Sequence, residues 1–228
     1  MKKIAILLSG CGVYDGAEIQ EAVSAMLSIQ EAGAEYICVS IDKDQYHVIN
    51  HLTGEEMPEK RNMLIEAARI ARGAVVNIKD IQPADFDALL IPGGFGSAKN
   101  LTTWAFNGPD GTILDEVKLL IVNCVNAGKP IAALCVSPVV VAKALEGSKL
   151  HPLMTLGSTS GSSPYSIADF HSGIQKTGAQ AVEEELGEIY IDNELKIITA
   201  PCYMMDATLL EVKNNIKKAV DALIKLSA

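Results

Sequence analysis

Apolar residues recur along this chain in two alternating rhythms. Short, nearly unbroken runs at Lys3–Leu8, Glu35–Ile41, Asp87–Ile91 and Ile131–Leu134 read as buried strands. Between them, apolar positions three and four apart predict helices over Gly16–Ala32 (closed by Gly33), Arg61–Arg72, Ile113–Ala127 and Val139–Leu145. Ala74–Ile78 and Leu153–Gly157 are shorter strand candidates, and a Ser/Gly-rich loop runs over Gly157–Ser163. Glu188–Asp192 and Lys196–Thr199 flank Asn193-Glu194 as a hairpin. Leu209–Leu226 closes the chain as a helix, with Ile216, Val220, Leu223 and Ile224 as its inward stripe. This alternation predicts an α/β fold, a mainly parallel sheet covered by helices on both faces. A length of 228 residues suits a single domain over residues 1–228.

Composition narrows the function classes. A hydrophobic content of 49 % and a mean hydropathy of +0.22 indicate a filled core. A net charge of -9 argues against a nucleic-acid partner, which would call for a basic face. No apolar run reaches the ~18 residues that span a bilayer, so no membrane association is expected, and the N-terminus lacks a signal-peptide pattern. Five cysteines, none in CxxC spacing, suggest neither a disulfide framework nor a zinc site; the chain is therefore expected in a reducing, cytoplasmic setting.

In a parallel sheet, chemistry collects at the carboxyl ends of the strands. Four such ends carry distinctive residues: Ser9–Gly16, Pro92–Gly96, Cys135 and Thr199–Met204. The third is the most informative. In Pro130–Leu145 a strand runs into Cys135 and a helix begins within three residues, with Ser137 a candidate N-cap and Pro138 suited to the first helical position. Ala133 and Ser137 are small, as a sharp strand-to-helix turn requires, which is the logic of a nucleophile elbow. A helix N-terminus favours thiolate there, although a buried, inert cysteine fits the same pattern.

The other ends leave alternatives open. Gly10-x-Gly12-x-x-x-Gly16 loosely fits a dinucleotide fingerprint, but Asp15 and Glu18 read as a capping box whose charges would repel a pyrophosphate. Glu18 is thereby explained. Glu21, one turn on, lies off the main apolar stripe, either as a surface glutamate or as a general acid/base for Cys135 if burial raises its pKa. Gly93 and Gly94 read as a plain turn or, with the N–H of Val136, as an oxyanion hole.

Together, the Cys135 elbow, Pro92-Gly93-Gly94 and a helix-1 glutamate resemble the ThiJ/PfpI superfamily. Ser9–Gly16, Asn50–Glu55, Arg61–Arg69, Pro92–Leu101 and Pro201–Met204 more closely resemble its ElbB-like branch, the isoprenoid biosynthesis glyoxalase or sigma cross-reacting protein family. That resemblance covers essentially the whole chain. It implies a flavodoxin-like three-layer sandwich, class I glutamine amidotransferase-like, that forms a homodimer. It also implies a cofactor-free, glutathione-independent glyoxalase converting glyoxal or methylglyoxal to a 2-hydroxy acid, and deglycation of early adducts.

Carried onto this sequence, the resemblance makes Cys135 the nucleophile and Glu21, twelve residues before Gly33, the acid/base, with Glu18 as fallback. Gly93, Gly94 and Val136 become the oxyanion and substrate-binding positions, with Cys11 and His51 as accessory candidates. The peptidase-like relatives place histidine directly after the cysteine, and Val136 stands there instead, which weakens a protease reading; His51, His151 and His171 remain as candidate donors from loops, each reading first as an ordinary surface residue. A class I amidotransferase needs a downstream His-x-Glu that Ala200–Met204 does not supply. The rival classes are a cysteine-based redox sensor, with Cys11 as resolving partner, and a noncatalytic binding protein.

Overall fold

The computed structural model describes residues 1–227; Ala228 lies outside them. In chain order the strands and helices are β1 (Lys3–Leu7), α1 (Ile19–Glu31), β2 (Glu35–Ser40), α2 (Met63–Ile70), β3 (Val75–Asn77), β4 (Ala88–Ile91), α3 (Trp104–Asn107), α4 (Asp115–Asn126) and β5 (Ile131–Leu134). Then follow α5 (Pro138–Leu145), β6 (Leu153–Met154), α6 (Ile167–Lys176), β7 (Gln180–Ala181), β8 (Tyr190–Asp192), β9 (Ile197–Ala200) and α7 (Leu209–Leu226).

Seven strands form one sheet in the order β3-β2-β1-β4-β5-β9-β8, parallel throughout except for the β8–β9 pair. The antiparallel pair is the expected hairpin. All residues of β4, β5 and β9 are buried, as are the last four of β1, which is why these strands read as continuous apolar runs. The connection from β1 to β2 runs one way along the sheet and that from β4 to β5 the other. Right-handed crossovers therefore put α1 and α4 on opposite faces. Helix α7 packs on α1, and α5 on α4, completing the three layers of a flavodoxin-like sandwich.

Strand order reverses between β1 and β4, the switch point where α/β sheets open a crevice. More pointedly, the strands ending in the four distinctive segments are β1, β4, β5 and β9, which are consecutive neighbours. Segments spread over some 190 residues of chain thus meet at one edge of the sheet.

Several local expectations need correction. Helix α1 begins at Ile19, with Glu18 itself as N-cap accepting from Glu21 N–H at 2.6 Å; Asp15 instead accepts from Ile49 N–H at 2.7 Å. Its inward face carries small residues, Ala22, Ala25 and Ser28, beside Met26 and Ile29, while Ile19, Val23 and Leu27 face outward at 44, 49 and 47 % exposure. Large apolar side chains on the outside misdirect a hydrophobicity pattern, and this put Glu21 on the wrong side. In α7, Ile224 is only half-buried, whereas Val212, Ile216, Ala219, Val220 and Leu223 are fully buried. Helix α6 is not among the expected helices; it is short and amphipathic, burying Ile167, His171, Gly173 and Ile174 on one face.

Helix α7 is also tied to the site edge by one polar residue. Fully buried Asn215 accepts from Cys202 N–H at 2.9 Å and donates to the Glu188 carbonyl at 2.8 Å. Asn215→Ala leaves both backbone groups without a partner, so we expect a loss of about 2–4 kcal/mol in urea denaturation.

Candidate active site

Strand β5 ends at Leu134 and α5 begins at Pro138, leaving three residues for the turn. Cys135 takes a left-handed φ of 57°, and its N–H donates to the Ala200 carbonyl at 2.9 Å. A non-glycine residue there carries a penalty of order 1–2 kcal/mol, tolerated where the surroundings enforce it. Ala133 and Ser137 are both fully buried against the bend. Pro138 occupies the expected first helical position, but the Ser137 hydroxyl does not cap α5. It donates to the Pro92 carbonyl at 2.5 Å and lies 2.8 Å from the Ser97 hydroxyl, pinning the elbow to the loop after β4.

Glu21 is fully buried and hydrogen-bonded to the Cys135 side chain. Its Oε2 accepts from Gly93 N–H at 2.7 Å and its Oε1 from Tyr203 N–H at 3.4 Å. Three strand ends therefore hold one carboxyl: the loop after β4, the elbow after β5 and the turn after β9. Glu18, whose N–H donates to the Gly93 carbonyl at 2.9 Å, lies on the cavity wall and does not take Glu21's place against the thiol.

The glycines divide their work. Gly93 N–H is committed to Glu21, so it is not an oxyanion donor. What Gly93 contributes is space, since a Cβ there would sit 2.4 Å from Cys135 Cβ and 2.8 Å from Sγ. Gly94 has φ +97°, and a Cβ on it would meet Gly16 O and Glu18 N at 2.4 Å. The N–H groups of Gly94 and Val136 both point at Cys135 Sγ, forming a two-donor cradle.

Burial decides the resting charge state. Desolvation, then the nearby Glu18, pushes the Glu21 carboxyl up to about 8, although its N–H and thiol partners oppose this. Desolvation, then Glu21, drives the Cys135 thiol well above its ordinary value, against the pull of the Val136 and Gly94 N–H groups. A resting thiolate was the expectation from the helix N-terminus. In a fully buried site, loss of water outweighs that partial charge, and the thiol keeps its proton until a base removes it.

Cys135 opens onto a cavity of ≈ 30 Å³ walled by Val13, Gly94, Phe95, Val136, Phe170 and Met204, with Glu18, Tyr165 and Tyr203 as further lining residues. One water occupies ~10–15 Å³ by this measure, so the space suits a molecule of a few heavy atoms. No lysine, arginine or histidine lines it among the described residues. His51 is held elsewhere, its Nε2 accepting from Tyr14 N–H at 3.3 Å and its Nδ1 lying 3.0 Å from the Ile49 carbonyl. His151 meets the Gly178 carbonyl and His171 meets Glu183; His171 is buried, not the surface residue expected.

The half-buried thiol of Cys11 has Glu66, Arg69, Asp15 and Arg61 as its charged neighbours and does not adjoin Cys135. The thiol that does is Cys202, fully buried at φ 46° and facing the Cys135 N–H. Sequence reasoning also left Tyr165, Phe170 and Tyr203 without a role. Only the strand end containing Tyr203 offered a signal.

Residues 2–150 match the DJ-1/PfpI family. The chain is 37 % identical to the Homo sapiens glutamine amidotransferase-like class 1 domain-containing protein 3, mitochondrial, over 99 % of this chain and 83 % of that protein. It is 36 % identical to the Rattus norvegicus ES1 protein homolog, mitochondrial, over 99 % of this chain and 84 % of that protein. Among solved structures, an isoprenoid biosynthesis protein with amidotransferase-like domain from Ehrlichia chaffeensis superposes with a TM-score of 0.89 at 34 % identity, covering 99 % of each chain. Drosophila melanogaster DJ-1beta shares the fold, with a TM-score of 0.56 at 15 % identity, covering 99 % of this chain and 95 % of that chain.

The Glu21 environment has a consequence for stability. Its folded value near 8 lies above the ordinary 4.5, so between these pH values the unfolded chain loses a proton that the folded chain keeps. The stability Glu21 contributes is present at low pH and falls as pH rises toward 8. In thermal melts from pH 5 to pH 8, Glu21→Gln should lose several degrees less Tm than the wild type.

Proposed function

This chain belongs to the DJ-1/PfpI family, and on that premise we propose that it is a glutathione-independent glyoxalase of the ElbB-like branch. Its substrate would be glyoxal or methylglyoxal, with Cys135 as nucleophile and Glu21 as acid/base. The observation that carries this reading is the buried Glu21–Cys135 hydrogen bond at the floor of a small apolar cavity. A carboxyl near 8 is matched to proton transfer around neutral pH.

In this scheme the carboxylate form of Glu21, the minor form near neutral pH, takes the thiol proton as sulfur adds to the aldehyde carbon. The carbonyl electron pair moves onto oxygen, which receives that proton from Glu21 and leaves the carboxylate free again. The resulting hemithioacetal oxygen is held by the Gly94 and Val136 N–H groups that cradle sulfur at rest. Glu21 then moves a proton from the sulfur-bearing carbon to its neighbour through an enediol, which yields a Cys135 thioester of the hydroxy acid. Water hydrolyses that thioester to glycolate or lactate. One carbon is oxidised and the other reduced, so no outside electron carrier is required.

Small size and the lack of a cationic side chain on the cavity wall favour a neutral aldehyde over a charged amino acid. A redox-sensing role needs a thiolate at rest, and the burial of Cys135 works against that. Protein deglycation would require an adduct to enter the same narrow space. Five free cysteines suit the reducing, cytoplasmic setting we propose, although the human and rat relatives are named as mitochondrial. No helix among the described residues is long and apolar enough to cross a membrane.

We further propose a homodimer. The outward ridge of α1, Ile19, Val23 and Leu27 at four-residue spacing, supports a helix-on-helix interface.

Wild-type protein should form glycolate from glyoxal without glutathione, and Cys135→Ala should lower kcat/KM at least ~10³-fold with an unchanged melting profile. Full activity in that variant would overturn the scheme. Sedimentation should give twice the chain mass, falling to a monomer in Val23→Glu.

A further inference from the structure

Two aromatic hydroxyls belong to residues of the Cys135 cavity, and they differ in one respect. Tyr203 donates its hydroxyl to Gln20 Oε1 and is thereby committed. Glu18 uses Oε2 to cap α1. Tyr165 makes no side-chain hydrogen bond to any described residue, and its phenol is among the groups electrostatically coupled to Cys135.

This free hydroxyl sits on a fixed ring. The Tyr165 backbone is held by Ser163, whose Oγ accepts the Tyr165 N–H at 3.0 Å and lies 3.0 Å from the Tyr165 carbonyl. The same Oγ lies 2.6 Å from the Met204 carbonyl, binding the segment to the turn after β9. The ring packs edge-to-face on Phe95, with centroids 6.0 Å apart and planes at 71°. Burial, then Cys135, pushes the phenol up to about 12, so it remains protonated across the physiological range and acts as a donor. A donor unpaired within the protein, on a residue that lines the same apolar cavity as the nucleophile, is available to a ligand oxygen.

We propose that Tyr165 is a substrate-binding residue whose hydroxyl donates to the second oxygen of a 1,2-dicarbonyl while Cys135 adds to the first carbonyl carbon. This rests on the reading of Cys135 as an aldehyde-addition nucleophile and adds to it the residue that selects 1,2-dicarbonyls over simple aldehydes. Two- and three-carbon compounds with oxygens on adjacent carbons bridge from sulfur to the phenol. Simple monoaldehydes leave the phenol without a partner and are bound less well. The phenol keeps its proton throughout.

The test reads binding apart from turnover. Alkylation of Cys135 by iodoacetamide is followed by mass spectrometry in wild type and Tyr165→Phe, with increasing glyoxal or acetaldehyde as protectant. The variant keeps the ring on Phe95, so its melting profile and its alkylation rate without aldehyde should match wild type. Tyr165→Phe should raise the half-protecting glyoxal concentration about 3- to 10-fold and leave that for acetaldehyde within about 2-fold. Equal protection of variant and wild type by glyoxal, or an equal loss for both aldehydes, overturns the role of Tyr165 and leaves Cys135 chemistry standing. A wild type that neither aldehyde protects overturns both. Protection of the expected kind without glycolate formation supports Tyr165 and overturns the turnover reading alone.

Discussion

A carboxyl group with no exposed surface, pressed against a thiol at a left-handed backbone position, is the constraint around which this edge of the molecule is organised. Isolated in an apolar interior, ionised Glu21 would be prohibitively unstable. It is accommodated because the N–H groups of Gly93 and Tyr203 reach its two oxygens and its proton is held near neutrality. Each donor belongs to a different loop, so keeping Glu21 in place requires α1, β4 and β9 to stay in register with one another. Gly93 has to be glycine for the same reason, since any Cβ would enter the space between carboxyl and sulfur.

That arrangement links stability to reactivity. The desolvation that keeps thiol and carboxyl protonated at rest also brings the carboxyl into the range where it can move protons at working pH. The N–H groups of Gly94 and Val136, already aimed at sulfur, lie close to where an added aldehyde oxygen develops charge. Preorganised donors in an apolar site need little reorganisation as charge shifts. The apolar walls contributed by Val13, Phe95, Phe170 and Met204 sustain the low polarity on which both effects depend.

Much of the site was legible because its residues carry local signals. Cys135 is flagged by an apolar run, small neighbours and a proline, all within a few positions. Gly93-Gly94 follows a strand, and Leu209–Leu226 shows an uninterrupted helical period matched by α7. Other residues carried misleading signals or none. Asp15 and Ser137 look like caps, yet their side chains bond to distant backbone groups instead. Tyr165 sits in a stretch whose fold is set by Ser163 and the turn after β9, neither of which marks it as part of a cavity.

By itself the sequence determined the α/β alternation, the strand ends where chemistry would gather and the residue types available there. These follow from local periodicity and turn chemistry, which act over a few residues. Only the tertiary structure decided that β1, β4, β5 and β9 are neighbours, because strand order depends on crossovers between segments far apart in the chain. It also decided that Glu21 faces inward while Val23 faces out, and that Cys202 rather than Cys11 adjoins the nucleophile. Burial and proximity are properties of packing. They set which carboxyl is raised toward neutrality, and no pattern along the chain encodes that directly.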